Sequence, residues 1–186
     1  MSCSTNACGC SSTPKVVIKG NPVTLAGVTP KVGAIAPEFN LRDQTLSPKT
    51  LADYAGKVKI VVTVPSLDTP VCDIEVRKFN QEAAALGADV VILVVSMDMP
   101  MAQKRWCGAA GVDKVVTLSD YFDHSFGKFW GLRIVEKGFL ARAVYVLGKD
   151  NTVKHADVVA ELTAEPDYIA ALAAARGALA GGCGCC

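Results

Sequence analysis

The stretch Val61–Phe79 reads VVTVPSLDTPVCDIEVRKF. It opens within a β-branched run: Val58, Ile60, Val61, Val62 and Val64 are strand formers. A nearly unbroken apolar run of this kind suits a strand covered on both faces. Pro65 ends the strand. Thr69 and Pro70 then signal a helix start, Thr69 as N-cap and Pro70 as first helical residue. Beyond them Ile74, Val76, Phe79, Ala83 and Leu86 recur at three- and four-residue steps, with Asp73, Glu75, Arg77, Lys78 and Glu82 between them. That spacing predicts an amphipathic helix closed by Gly87. Cys72 therefore falls in the first turn of a helix that leaves a buried strand.

This placement has a chemical consequence. The first turn of a helix offers N–H groups without intrahelical acceptors and carries the positive end of the dipole. A thiolate is favoured there over a thiol, and the thiolate is the nucleophilic form. The plainer alternative is a small buried hydrophobe, since free cysteine is among the most buried residue types.

Outward from this stretch, strands first alternate with helices. Val90–Ser96 (VVILVVS) reads as a second buried strand, and Asp98 and Pro100 as the start of a helix from Met101 through Cys107 to Gly108 or Gly111. Val115–Leu118 reads as a third core strand. Phe122, Phe126, Phe129 and Trp130 stand at helical spacing between Tyr121 and Gly131. Ala141–Leu147 and Val153–Val159 flank the turn residues Gly148-Lys149-Asp150-Asn151, an antiparallel pair. Pro166 opens a last amphipathic helix through Ile169, Leu172 and Ala173. On the N-terminal side, Val16-Val17-Ile18 and Val23-Thr24-Leu25 around Lys19-Gly20-Asn21-Pro22 read as a β-hairpin. Leu41–Leu51 reads as a short strand with a turn at Ser47-Pro48, followed by a helical turn to Tyr54. The order predicts an α/β fold with a central mixed sheet flanked by helices, and ligands of such sheets favour the C-terminal ends of the parallel strands.

Composition narrows the function classes. With 186 residues, 51% hydrophobic, 20% charged and a formal net charge of +1, the chain suits one domain with a sizeable core. It has no basic footprint for nucleic acid. No apolar run reaches the roughly 20 residues of a membrane helix, and the N-terminus lacks a signal peptide's n- and h-regions. A cytoplasmic location is the default expectation. The expected organisation is a flexible cysteine-containing tail over 1–14, one domain over 15–178 and a flexible cysteine-rich tail over 179–186.

Pro65, Thr69 and Cys72 stand as P-x-x-x-T-x-x-C, which resembles the peroxidatic-cysteine motif of the peroxiredoxins. Asp68-Thr69-Pro70-Val71-Cys72 followed by Val76-Arg77-Lys78-Phe79-Asn80 is similar to one branch, the bacterial thiol peroxidases of the atypical two-cysteine type (Tpx). Gly33, Ala36-Pro37 and Phe39 resemble the family's G-x-x-A-P-x-F entry segment. The resemblance covers about Val16–Arg176 and implies a thioredoxin-like fold with an N-terminal β-hairpin. It implies that Cys72 attacks the peroxide, that the Thr69 hydroxyl bonds the thiolate and the peroxide, and that Pro65 shields the sulfur. Leu140-Ala141-Arg142-Ala143-Val144 resembles the segment with the active-site arginine, so Arg142 is expected to steady thiolate and peroxide, with Arg77 as substitute. On its own, Arg142 reads first as a surface gatekeeper at a strand end.

Cys107, in QKRWCG, lies far beyond any C-x-x-C spacing from Cys72, which excludes a simple thioredoxin site. The resemblance makes it the resolving cysteine of an intramolecular Cys72–Cys107 disulfide; read alone, it fits a core cysteine. A disulfide needs Cα atoms within about 7 Å, so one or both helices are expected to loosen in each cycle. The resemblance further implies thioredoxin as reductant, a homodimer, and no metal or organic cofactor. Cys3, Cys8, Cys10, Cys183, Cys185 and Cys186 lie in the tails; their close spacing suits soft metals, cross-pairing, or no fixed role. A metal carrier with working tails, and a redox sensor that passes oxidation to a partner protein, are the competing readings. His124 and His155 have no ligand-spaced partner, and Met97, Met99 and Met101 read as core filling or the lining of an apolar pocket.

Overall fold

The computed structural model describes residues 13–181; the expectations for Cys3, Cys8, Cys10, Cys183, Cys185 and Cys186 fall outside the described residues. The chain enters through a hairpin, β1 (Val16–Ile18) and β2 (Asn21–Val23). A short pair follows, β3 (Leu41–Arg42) and β4 (Pro48–Lys49), then a 3-10 turn over Leu51–Tyr54. Next come β5 (Val58–Thr63), α1 (Pro70–Leu86), β6 (Val90–Ser96), α2 (Pro100–Ala110) and β7 (Val116–Ser119). The remainder is α3 (Ser125–Phe129), β8 (Ala143–Leu147), β9 (Val153–Val158) and α4 (Tyr168–Ala180).

Among the described residues the main sheet has the order β4-β3-β7-β6-β5-β8-β9. Strands β5, β6 and β7 run parallel, and β8, β9 and β3 add antiparallel edges. The expected mixed sheet is therefore present, with β5 between a parallel and an antiparallel neighbour. All six residues of β5 are buried, as its nearly unbroken apolar run requires. The period of two then splits the core. Val58, Ile60 and Val62 join α1, α4, Trp106 and Cys107 on one face. Val61, Leu93, Val95 and Tyr145 join Phe39, Phe126 and Trp130 on the other.

Several local expectations are corrected. The hairpin turn is two residues, Lys19 (φ 50°) and Gly20 (φ 79°), with Asn21 and Pro22 already paired to Ile18 and Val17. Both turn residues have positive φ, the mark of a type I′ turn, whose twist matches that of the strands. The aromatic run yields only the five-residue α3, because His124 takes a left-handed conformation (φ 57°) and breaks the helix before Ser125; Phe122 and Phe129 are exposed. The last helix starts at Tyr168, capped by the Asp167 side chain, which accepts from the Ala170 N–H. Its buried face is Tyr168, Ala171, Leu172 and Ala175, and Ile169 points outward. Asp98 does not cap α2; Met99 occupies that position without a side-chain bond.

Candidate active site

The loop between β5 and α1 is built before the cysteine arrives. Pro65, buried, breaks the strand. Ser66 and Leu67 then turn back toward the end of β6, where Asp98 holds them. Its Oδ1 accepts from Ser66 Oγ at 2.8 Å, and its Oδ2 from the Leu67 N–H and Ser96 Oγ, both at 2.8 Å. Sequence reasoning spent Asp98 on a helix cap. Its actual partners lie across two parallel strand ends, a relation invisible along the chain.

Thr69 is the N-cap residue of α1, in extended conformation, and Pro70 opens the helix as expected. The Thr69 hydroxyl does not cap the helix; it donates to the Ser66 carbonyl at 3.1 Å. It is bonded there rather than to the sulfur. Cys72 stands in the first turn and is fully buried, at 0% exposure. The N–H groups of Val71 and Cys72 have no intrahelical acceptor there.

The cation facing this sulfur is Arg142. It lies immediately before β8, the antiparallel neighbour of β5, so strand pairing carries it to the helix start. Its guanidinium is fixed on three sides. Nε donates to the Leu162 carbonyl at 3.1 Å, Nη1 to Glu75 Oε2, and Nη2 to Cys72 Sγ at 3.4 Å. Arg142 is 2% exposed. The gatekeeper alternative is excluded by that burial. Arg77 is excluded as a substitute: it points away to Asp73 Oδ2 (2.8 Å) and the Ala110 carbonyl (2.6 Å), over the Trp106 ring.

Glu75 is the residue the sequence reading missed. The sequence pattern sets it among the charged residues between the apolar positions of α1, and Ile74 within the apolar stripe. The two are exchanged: Ile74 is 51% exposed and Glu75 is 0% exposed. The signal was present in the spacing, since Glu75 is three positions after Cys72 and shares its helix face with Val76 and Phe79. Burial pushes the Glu75 carboxyl up to about 7, and Arg142 pulls it the other way.

Cys107 sits near the C-terminal end of α2, 8% exposed, with Sγ 3.8 Å from Thr117 Oγ1. Burial pushes its thiol up from the ordinary value. It faces a groove of about 700 Å³ whose wall includes Gln44, Lys104 and Thr117. Cys72 and Cys107 are both free thiols, and both belong to the hydrophobic cluster under α1. Of the methionines, Met99 and Met101 are exposed, and Met97 packs beside Leu93 and Val95. No helix among the described residues is long and apolar enough to cross a membrane.

A buried cysteine in the first turn of a helix, met by an arginine across a mixed sheet, defines a thiol-based redox protein with a thioredoxin-like fold. The comparisons agree. Residues 31–172 match the Redoxin family model. A thiol peroxidase of Streptococcus pneumoniae is 50% identical over 161 residues, covering 87% of this chain and 98% of the relative. One from Bacillus subtilis is 49% identical, covering 87% and 96%. The crystal structure of a peroxiredoxin-like protein from Aquifex aeolicus superposes with a TM-score of 0.83 at 39% identity, covering 89% and 98%. The chain belongs to the redoxin family, as a peroxiredoxin of the bacterial thiol peroxidase type.

Proposed function

We propose that the chain reduces hydroperoxides through Cys72, with Cys107 as resolving thiol and thioredoxin as the dithiol that closes the cycle. The observation that carries the reading is the Arg142 Nη2 contact to Cys72 Sγ at 3.4 Å, inside a site closed to water. A guanidinium there favours the thiolate and meets charge as it moves onto the leaving oxygen.

The Cys72 thiolate attacks one peroxide oxygen. The O–O bond breaks, the second oxygen leaves with a proton as water or alcohol, and Cys72 becomes a sulfenic acid. Arg142 and the free N–H groups of the first turn of α1 stabilise the charge in flight. A turn of the Thr69 side chain from Ser66 adds its hydroxyl. Pro65, packed at the strand end, keeps solvent off the sulfur. Cys107 then condenses with the sulfenic acid, water leaves, and a disulfide forms; an external dithiol reduces it with two electrons. No metal or organic cofactor enters these steps. Both helices carry their cysteine within regular structure, so α1, α2 or both must open for the sulfurs to bond. Location in the cytoplasm and pairing into a homodimer complete the reading.

A coupled assay with thioredoxin and its reductase tests it. Peroxide consumption that follows reductant in wild type, vanishes in Cys72→Ser and loses cycling in Cys107→Ser is the expected pattern. Full thioredoxin-linked turnover by Cys107→Ser removes Cys107 from the scheme. A Cys72–Cys107 link in mass spectra after one equivalent of peroxide supports it directly.

A further inference from the structure

Arg142 is one buried cation between two groups that can each carry a negative charge. On one side is Cys72 Sγ; on the other is Glu75 Oε2. All three residues are at or below 2% exposure. One guanidinium balances one anion, so the fully ionised trio holds an uncompensated charge away from water, which is costly. The second oxygen of Glu75, Oε1, is buried and has no hydrogen-bond partner among the described residues. An ionised carboxylate is acceptor-only, so an Oε1 without a donor leaves its charge unsolvated, and protonation of the carboxyl removes that charge.

The surroundings do not relieve this imbalance. Glu165, just before α4, and Asp157, on β9, both oppose ionisation of Glu75. Lys78 of α1 is spent on Glu165 at 3.7 Å and on the Tyr168 ring. Tyr168 of α4 gives its hydroxyl to Glu165. Arg142 is thus the cation in direct contact with Glu75, and Cys72 is the other claimant on it.

We propose that Glu75 and Cys72 share one proton across Arg142: Glu75 is a positioning residue that aims the guanidinium at the sulfur, and the sulfur is free to ionise when Glu75 holds the proton. The equilibrium is Cys72–SH with Glu75–COO⁻ against Cys72–S⁻ with Glu75–COOH, with charge and proton count equal on both sides. The two groups titrate as a pair, and the ionisation of each opposes that of the other. The inference rests on Cys72 being the reactive thiol proposed above. It adds that reactivity toward peroxide is gated by the protonation of a carboxyl that touches neither peroxide nor sulfur.

The test is the rate of iodoacetamide alkylation of Cys72 against pH, read by mass spectrometry on the peptide that contains Cys72, so the other cysteines do not interfere. It needs no peroxide, so its failure is distinct from failure of the peroxidase reading, which the coupled assay decides. Glu75→Gln keeps an oxygen for Arg142 and removes the charge. Its midpoint is expected about one pH unit or more below wild type, which is about tenfold faster alkylation at pH values under the wild-type midpoint. Glu75→Ala loses the aim as well as the charge, and is expected to fall below Glu75→Gln in peroxide kcat/KM. An unmoved or raised midpoint in Glu75→Gln overturns the proposal. Wild type alone gives a second measurement should the variants not fold. A profile broader than one proton supports sharing, and a single-proton curve overturns it.

Discussion

Cys72 and Cys107 invite comparison because so much about them is alike. Both are buried, both ride on a helix that follows a parallel strand, and both line the same hydrophobic cluster. They differ in which end of the helix holds them and in what faces the sulfur. Cys72 is at the start of α1, where free N–H groups and the dipole favour an anion, and Arg142 meets it at 3.4 Å. Cys107 is three positions from the last residue of α2, and its carbonyl accepts the closing N–H groups of Gly111 and Val112. A hydroxyl, Thr117, is the neighbour of its sulfur. At Cys72 burial comes with a guanidinium 3.4 Å from the sulfur; at Cys107 it comes with a hydroxyl, and burial pushes that thiol up. Burial alone therefore does not decide the electrostatic surroundings of a cysteine.

The hardest blow to this contrast is exchange of the cysteines for serine. Cys72→Ser is expected to take peroxide consumption to background, while Cys107→Ser keeps one equivalent of consumption per chain, read by stopped-flow with a single charge of peroxide. Equal losses in both variants would erase the asymmetry. Next is Arg142→Met, which strips the cation from Cys72 and leaves Glu75 buried alone. Peroxide reduction is expected to fall about 10²–10³-fold, and stability at neutral pH by about 3–5 kcal/mol in denaturant unfolding. Alkylation of Cys107 should hardly change.

The third effect is a pH dependence. The Glu75 carboxyl stands at about 7 in the folded protein against 4.5 unfolded. Between those values the folded state binds more protons, so stability due to this group is full below about 4.5 and falls as pH rises toward 7. The loss is up to about 3 kcal/mol, and Glu75→Gln should flatten that stretch of the curve. A wild-type stability that rises over the same range with an equal rise in Glu75→Gln would assign the slope elsewhere. The smallest effect is at Arg77, which ties the outer face of α1 to the Ala110 carbonyl at the end of α2. Arg77→Ala removes one clamp between the two cysteine helices. Formation of the Cys72–Cys107 disulfide after peroxide is expected to quicken by roughly threefold, the scale of one modest hydrogen bond, with the rate of peroxide attack unaltered.

Chain order alone revealed the strands, because β5, β6 and β8 are nearly unbroken apolar runs whose period and length leave little choice. It also revealed Cys72 at a helix start, since Pro65, Thr69 and Pro70 are local punctuation. Reading failed where a local signal had a distant competitor. Asp98 looked like a cap and became the anchor of the loop before α1. Ile74 and Glu75 fit an amphipathic count in either order, and the choice fell to an arginine nearly seventy positions on. The aromatic spacing of Phe122 to Trp130 promised a longer helix than the left-handed His124 allows.

By itself, then, the sequence determined the alternation of elements, the apolar faces of the strands and the place of the Cys72 sulfur at a helix start, all set by neighbours within a few residues. Tertiary structure alone decided which charged groups face that sulfur. The antiparallel pairing of β8 with β5 brings Arg142 to the first turn of α1, and the rotation of α1 turns Glu75 inward to meet it. Water screens a charge on a chain in solution; once the fold removes water, the count of buried cations and anions, which no stretch of sequence displays, controls the chemistry.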